Sequence, residues 1–393
     1  MQEALAQPTA PVSAKGPSMI QPLSELLKLY DSEAPLAEAF TIPAQWYVDE
    51  RIANLEHDHV FGRNWIAVGR ADQVAAPGNF FTVELTGEPL VVVRGDDGEL
   101  RAFYNVCRHH AAAVVAAPSG TAQHLRCPYH GWTYGLDGCL KGAPEFVGVC
   151  NFDRAQNGLV PLPVAVWEHF VFVTLNEQTP PLQSFLGDLP ARVTPLQLAK
   201  LHFFERKTYA LHCNWKVYVD NYLDGGYHVP HLHKGLNSVL DYKEYTIENS
   251  DHYCLQSSPM VSSNEHAEFA ATRTGSRAHY YWLYPNFMVN LYDGVMDTNL
   301  VLPLAPDRCL VQFDFYFSDV SNAVRPRNAE SVAVSDRIQD EDVAICESVQ
   351  QGLGSRAYKA GRLSIRREAG EHLFHRLLAR DLRTAVGIGP DQR

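Results

Sequence analysis

"CRHHAAAVVAAPSGTAQHLRCPYH", residues 107–130, places Cys107 beside His109 and, after seventeen intervening residues, Cys127 beside His130. A zinc site of the finger type presents its cysteines as one close pair and its histidines as another, whereas here each half offers one thiolate and one imidazole. Two such loops can cage a [2Fe-2S] cluster in which two Cys hold one iron and two His the other. Gly131 and Gly135 after the second pair supply the tight turns that aim backbone N–H groups at sulfur. A zinc-stabilised β-loop is the competing reading. His110 and His124 are left for surface or packing roles.

A second group of donors stands at residues 220–233, "DNYLDGGYHVPHLH". On a continuous helix Asp220, Asp224 and His228, four apart, share one face. His231 joins that face if the helix runs on unbroken. His233 joins only if Pro230, which has no N–H to donate, distorts or ends the helix.

The rest of the chain bounds the answer. Its 393 residues, 46% of them hydrophobic, suffice for two or three domains with substantial cores. A formal charge of -12 speaks against a nucleic-acid or anionic-membrane partner. No apolar run spans a bilayer, and the opening twenty residues lack a secretory pattern. The eight cysteines form no dense disulfide framework. Residues 1–41 read as a disordered or partly helical tail, and 42–61 as a helical segment. Short β-branched and aromatic runs between Gly and Pro turns, with a hairpin at Asp97-Gly98, make 62–176 an antiparallel β domain. A Pro- and Leu-rich connection opens the remainder, 177–393, where strands bracketed by helices give an antiparallel sheet covered by helices. The fold class is α+β. No Gly-x-Gly-x-x-Gly follows a strand, so no NAD(P)H or flavin domain is expected.

With "CRHH", "CPYHGWTYGLDG", "CNWKVYVDNYLDGGYHVPHLHK", "YPNFMVNLY", "MDTNLVLPL" and "QDEDVAICESVQQGL", the chain from about Ile42 to Leu382 resembles the large (alpha) subunit of the Rieske non-haem iron oxygenases, and within them the choline monooxygenases. The resemblance implies a Rieske cluster on Cys107, His109, Cys127 and His130, and a helix-grip (START-like) catalytic domain. It selects His228 and His233 as iron ligands. An acid followed five residues later by Glu falls on Asp342 and Glu347, making Asp342 the third ligand of a facial triad, with Asp340 and Glu341 as competitors. Ala112 and Tyr129 stand where the high-potential cluster proteins carry disulfide cysteines. The family's acid three residues before the first His is missing, since position 225 is Gly; Asp224 or Asp220 is expected to take over its bridging role, and Asn221 holds the family's amide position near iron.

The same resemblance implies dioxygen as cosubstrate, electrons from an external ferredoxin or NAD(P)H-dependent flavoprotein reductase, and a homotrimer; the opening residues, too poor in Arg for a convincing transit peptide, make a cytoplasmic location the expectation, with the plastid stroma of plant relatives as alternative. The substrate it implies is a small quaternary ammonium compound, choline first, oxidised to betaine aldehyde through its hydrate in glycine betaine biosynthesis. Carnitine, glycine betaine or another methylamine is the alternative, followed by an aromatic-ring hydroxylase and a non-enzymatic electron carrier. Cations of that kind are recognised by aromatic faces. The stretch 279–292 supplies Tyr280, Tyr281, Trp282, Tyr284, Phe287 and Tyr292 as candidates, of which strand alternation turns only some inward.

Overall fold

The computed structural model describes residues 21–261 and 271–389. Of the expected tail, residues 1–20 lie outside the described residues, and 21–41 is partly helical, the second of the two readings offered for it. Pro22 leads into the short helix Leu23–Leu27, whose Leu26 and Leu27 are buried together with Tyr30. Trp46 Nε1 donates to the Leu26 carbonyl at 3.2 Å, and Arg383 holds the Leu27 and Tyr30 carbonyls. This strap is packed because its few apolar side chains find partners on a distant helix, Ala369–Ala385.

Between residues 66 and 173 every strand pairing is antiparallel. A five-stranded sheet runs in the order Ser119–Thr121, Asn79–Leu85, Glu88–Arg94, Leu100–Tyr104, Pro161–Leu162. The Asp97-Gly98 reversal joins its third and fourth strands, Gly98 taking a φ of 81° that a side chain would resist. A small sheet of Leu125–Arg126, Thr133–Tyr134 and Leu140–Gly142 carries the second Cys/His loop.

The second half is a seven-stranded antiparallel sheet in the order His202–Leu211, Arg308–Phe317, Val295–Ala305, Phe287–Tyr292, Arg277–Leu283, Tyr253–Pro259, Thr246–Asn249. One face packs on the N-terminal β region: Tyr281, Phe287 and Val289 share a cluster with Trp65, Phe170 and Phe172. The helices Trp215–Leu223, Arg325–Leu353 and Ala369–Ala385 cover the other face. This is the expected α+β arrangement. Among the described residues no helix is long and apolar enough to cross a membrane.

Candidate active site

The two Cys/His loops are built alike. The Cys107 N–H donates to the Ala112 carbonyl at 2.8 Å and the Cys127 N–H to that of Trp132 at 2.8 Å. In return Ala111 and Gly131, each four residues after the cysteine and each at positive φ, donate to the cysteine carbonyls. The loops bring the rings of His109 and His130 to 4.7 Å. Cys107 and Cys127 are buried free thiols, and His109 Nδ1 is buried with no hydrogen-bond partner. A buried orphan nitrogen is costly unless something coordinates it. Two thiols, two imidazoles and that orphan atom fit a [2Fe-2S] cluster. His109 stacks on Trp132, while His130 remains exposed at the surface.

In the second half the helix Trp215–Leu223 does not reach His228, so the expectation of Asp220, Asp224 and His228 along one helical face is corrected. Gly225 and Gly226, at φ 68° and 66°, turn the chain sharply, and a new short helix, Val229–Leu232, starts with Pro230 in its first turn, where proline is tolerated. His228 precedes that helix and His233 ends it, which turns His233 inward, 2% exposed, and leaves His231 in solvent.

Asp342 comes from the long helix Arg325–Leu353, whose buried positions Ser331, Ser335, Gln339, Asp342 and Cys346 follow helical spacing. The facing donor atoms of His228, His233 and Asp342 all lie within 4.8 Å of one another. His233 Nε2 is 3.0 Å from Asp342 Oδ1 and His228 Nε2 is 3.9 Å from it. Both outer nitrogens are held by carboxylates: His228 Nδ1 by Asp224 at 2.6 Å, His233 Nδ1 by Glu341 at 2.6 Å. That fixes the tautomer exposing Nε2, the arrangement metal-ligating histidines need. Burial opposes charge on His233, but Asp342 and Glu341 outweigh it and raise its pKa, so the site favours positive charge. Two imidazoles and one carboxylate fit a mononuclear iron with open positions.

Of the competitors for the third ligand, Asp340 is exposed and Glu341 is the outer partner of His233. Asn221 donates its amide to Asp342 Oδ1 at 2.8 Å. Asp220 lies elsewhere: it accepts from the Tyr47 hydroxyl at 2.6 Å and pairs with His375 at 3.0 Å.

His228, His233 and Asp342 line one cleft. Of the aromatic candidates it takes Tyr280 and Tyr292 and leaves Tyr281, Trp282, Tyr284 and Phe287 out. Alternation turns Tyr281 and Phe287 to the opposite face of the sheet. Trp282 is on the cleft side but lies under Phe374, and the Tyr284 hydroxyl is tied to Asp381. The polar floor that the sequence reading missed is a cross-strand row, Gln256 opposite Tyr280, Tyr280 opposite Asn290, Asn290 opposite Asp297. Tyr222, Tyr245 and Arg273 complete it. The row is brought together by the pairing register, which no single strand reveals, and the other three arrive from separate segments.

The fold defines the class: an iron oxygenase subunit that joins a cluster-bearing β domain to a catalytic domain. Residues 64–153 match the Rieske [2Fe-2S] domain, and residues 198–384 match the ring hydroxylating alpha subunit (catalytic domain). The chain is 40% identical over 375 residues to the chloroplastic choline monooxygenase of Arabidopsis thaliana, covering 93% of this chain and 88% of that one. It is 32% identical to the carnitine monooxygenase oxygenase subunit of Escherichia coli strain K12, covering 87% and 94% respectively. The solved structure of a quaternary ammonium Rieske monooxygenase in complex with L-carnitine matches with a TM-score of 0.77 at 29% identity, over 88% of this chain and 96% of that one. The chain belongs to the Rieske non-haem iron oxygenases and is an iron-dependent monooxygenase of that family.

Proposed function

We propose that this chain is a terminal oxygenase that hydroxylates a small quaternary ammonium compound, with choline, oxidised at its carbinol carbon to betaine aldehyde hydrate, as the reference substrate. The observation that carries this reading is the cleft itself. Tyr222, Tyr245, Tyr280 and Tyr292 line the same space as His228, His233 and Asp342, with Asp297 at its floor. Tyrosine faces and a carboxylate are what a cation without N–H donors can use. Its similarity to enzymes named for choline and for carnitine supports the same class. An uncharged aromatic ring would leave the Arg273 and Asp297 side chains that line the cleft without a complementary charge on the substrate.

In this reading Cys107, His109, Cys127 and His130 hold the cluster, and His228, His233 and Asp342 the mononuclear iron. When bound, the cluster passes single electrons and the mononuclear iron activates dioxygen. The overall balance is one C–H bond, one O2, two electrons and two protons giving one C–OH and one water. The electrons come from a ferredoxin or flavoprotein reductase. Asp224 and Glu341 hold the histidine tautomers, and Asn221 orients Asp342. The exposed His130 is the point from which a neighbouring subunit's catalytic domain can draw electrons, which agrees with a homotrimer; Asp224, behind His228, is the receiving acid. We place the domain division near residue 177, and the protein in the cytoplasm, with the plastid stroma as the alternative.

Anaerobically reconstituted protein should hold roughly three irons per chain, two in the cluster and one outside it. With an artificial reductant it should consume O2 in step with product from a panel of methylated amines, and tetramethylammonium should compete. His228→Ala should abolish product and keep the cluster spectrum. Two irons per chain and no coupled oxygen use would make the protein an electron carrier instead.

A further inference from the structure

Arg273 is a buried cation, 3% exposed, that lines the catalytic cleft. Its guanidinium donates to the Thr272 carbonyl at 3.4 Å and to the Ser331 and Ser335 hydroxyls, and its carbon lies 5.0 Å from the Tyr292 ring centroid. All of these partners are neutral. The carboxylate nearest to it among the described residues, Asp297, stands 3.9 Å away, beyond hydrogen-bond reach. Asp297, 4% exposed, takes its hydrogen bond from the Asn290 amide at 2.7 Å instead. Asn290 is fixed in turn by the Tyr222 hydroxyl at 2.7 Å. The acid and the base are therefore neighbours in one cleft, each anchored by neutral groups, and neither saturates the other.

Among the described residues this buried guanidinium has no hydrogen-bonded anion, and such a group is expensive to retain. Its planar fork matches a carboxylate, which would form charge-assisted bonds with it. The tyrosine wall beside it, with Tyr245 and Tyr280 stacked at 6.4 Å and Tyr280 and Tyr292 edge-on at 6.0 Å, suits a methylated ammonium. A ligand with one charge of each sign meets both ends of this arrangement. Choline, a cation with a neutral hydroxyl, meets only one and brings a like charge near Arg273.

We propose that Arg273 reads a carboxylate on the substrate, so that the cleft is built for quaternary ammonium carboxylates of the betaine type in preference to choline. This rests on the quaternary ammonium reading above and sharpens it to the zwitterionic members of that class. Oxygenation would then fall on an N-methyl group or the chain between the two charges, since a carboxylate replaces the carbinol.

Equilibrium binding to the reconstituted full chain, by calorimetry with choline, glycine betaine, carnitine and tetramethylammonium, tests it. Glycine betaine differs from choline only in carrying a carboxylate for the alcohol, so the pair isolates the group in question. The carboxylates should bind about tenfold or more tighter than choline, the size expected for a charge-assisted contact. Arg273→Gln should lower the glycine betaine-to-choline preference about tenfold or more, and Arg273→Lys should restore part of it. Iron content and the cluster spectrum report whether the variants are folded; if Arg273→Gln is not, the wild-type comparison decides alone. Choline binding as tightly as glycine betaine, or a variant that weakens all four ligands equally, overturns the role of Arg273 and leaves the quaternary ammonium reading standing. Failure of every one of the four to bind, tetramethylammonium included, overturns both.

Discussion

Asp224 accepts the backbone N–H of His228 at 3.0 Å and stands 2.6 Å from its Nδ1, although it precedes that histidine by four residues. One carboxylate oxygen therefore fixes both where the chain turns and which imidazole nitrogen faces Asp342. Asp224→Asn keeps an acceptor for the backbone but loses the charge that orients and strengthens the ring. Iron affinity or turnover should fall roughly 10- to 100-fold, the usual cost of removing such a partner. Chelator competition and product rate measure it, and an unchanged cluster spectrum separates this loss from misfolding. Wild-type values for both would mean that Asp224 only shapes the loop.

Position 225, where the family commonly carries its acid, cannot hold one here. A Cβ on Gly225 would sit 2.0 Å from the Arg367 carbonyl oxygen, on a backbone at φ 68° that side chains resist. Moving the acid back, Asp224→Ala with Gly225→Asp, should therefore fail to rescue Asp224→Ala and should lower the thermal midpoint further. Restored turnover in the double variant would show that the loop can remodel and that the close approach to Arg367 is not limiting.

The cluster loops were legible in the sequence because their donors lie within a few residues of each other and the spacing alone distinguishes a mixed pair from a zinc pair. His233 was harder. The chain break that turns it inward comes from Gly225-Gly226, while Pro230, the expected breaker, merely starts the next helix. Glu341, a competitor of Asp342 in the sequence, instead faces His233 Nδ1 at 2.6 Å, a distinction of one residue on a helix that only the packing reveals. The cleft floor was least legible. Tyr280 and Asp297 meet through two strand pairings, and Tyr222, Tyr245 and Arg273 arrive from separate segments, whereas Tyr281 and Phe287, adjacent to good candidates in sequence, point at the other domain.

Lys216 and Glu56 form an ion pair at 2.6 Å with side chains 0% and 2% exposed, and Trp215 Nε1 donates to the second Glu56 oxygen at 2.8 Å. This joins the N-terminal helical segment to the helix that leads into the iron site. Burial pushes the Lys216 pKa down and the Glu56 pKa up, so neither charge tolerates losing the other. Lys216→Met should cost about 3–5 kcal/mol, and adding Glu56→Gln should recover most of it, because the penalty is that of a stranded charge. Denaturant midpoints of the two variants decide; equal losses would place the cost in packing around Trp215.

Tyr134 is fully buried, and its hydroxyl lies 3.4 Å from Cys107 Sγ while accepting the Arg108 N–H at 3.0 Å. With its lone pair engaged by Arg108, the phenol is left to donate to sulfur. Burial, and then the bond to Cys107, raise its pKa, so it stays a donor throughout the working range. A hydrogen bond to a cluster sulfur is strongest when the cluster carries its extra electron, and it therefore raises the reduction potential. Tyr134→Phe removes the O–H and little volume. For one hydrogen bond worth about 1 kcal/mol the potential should drop on the order of 40 mV in a one-electron couple. A redox titration followed by electron paramagnetic resonance measures it on the intact chain, independently of substrate. A lower potential makes the cluster a stronger donor to the mononuclear iron but harder for the external reductase to fill, so reduction by the partner should slow while transfer onward does not. An unchanged potential would place the Tyr134 hydroxyl in the service of the Arg108 backbone alone.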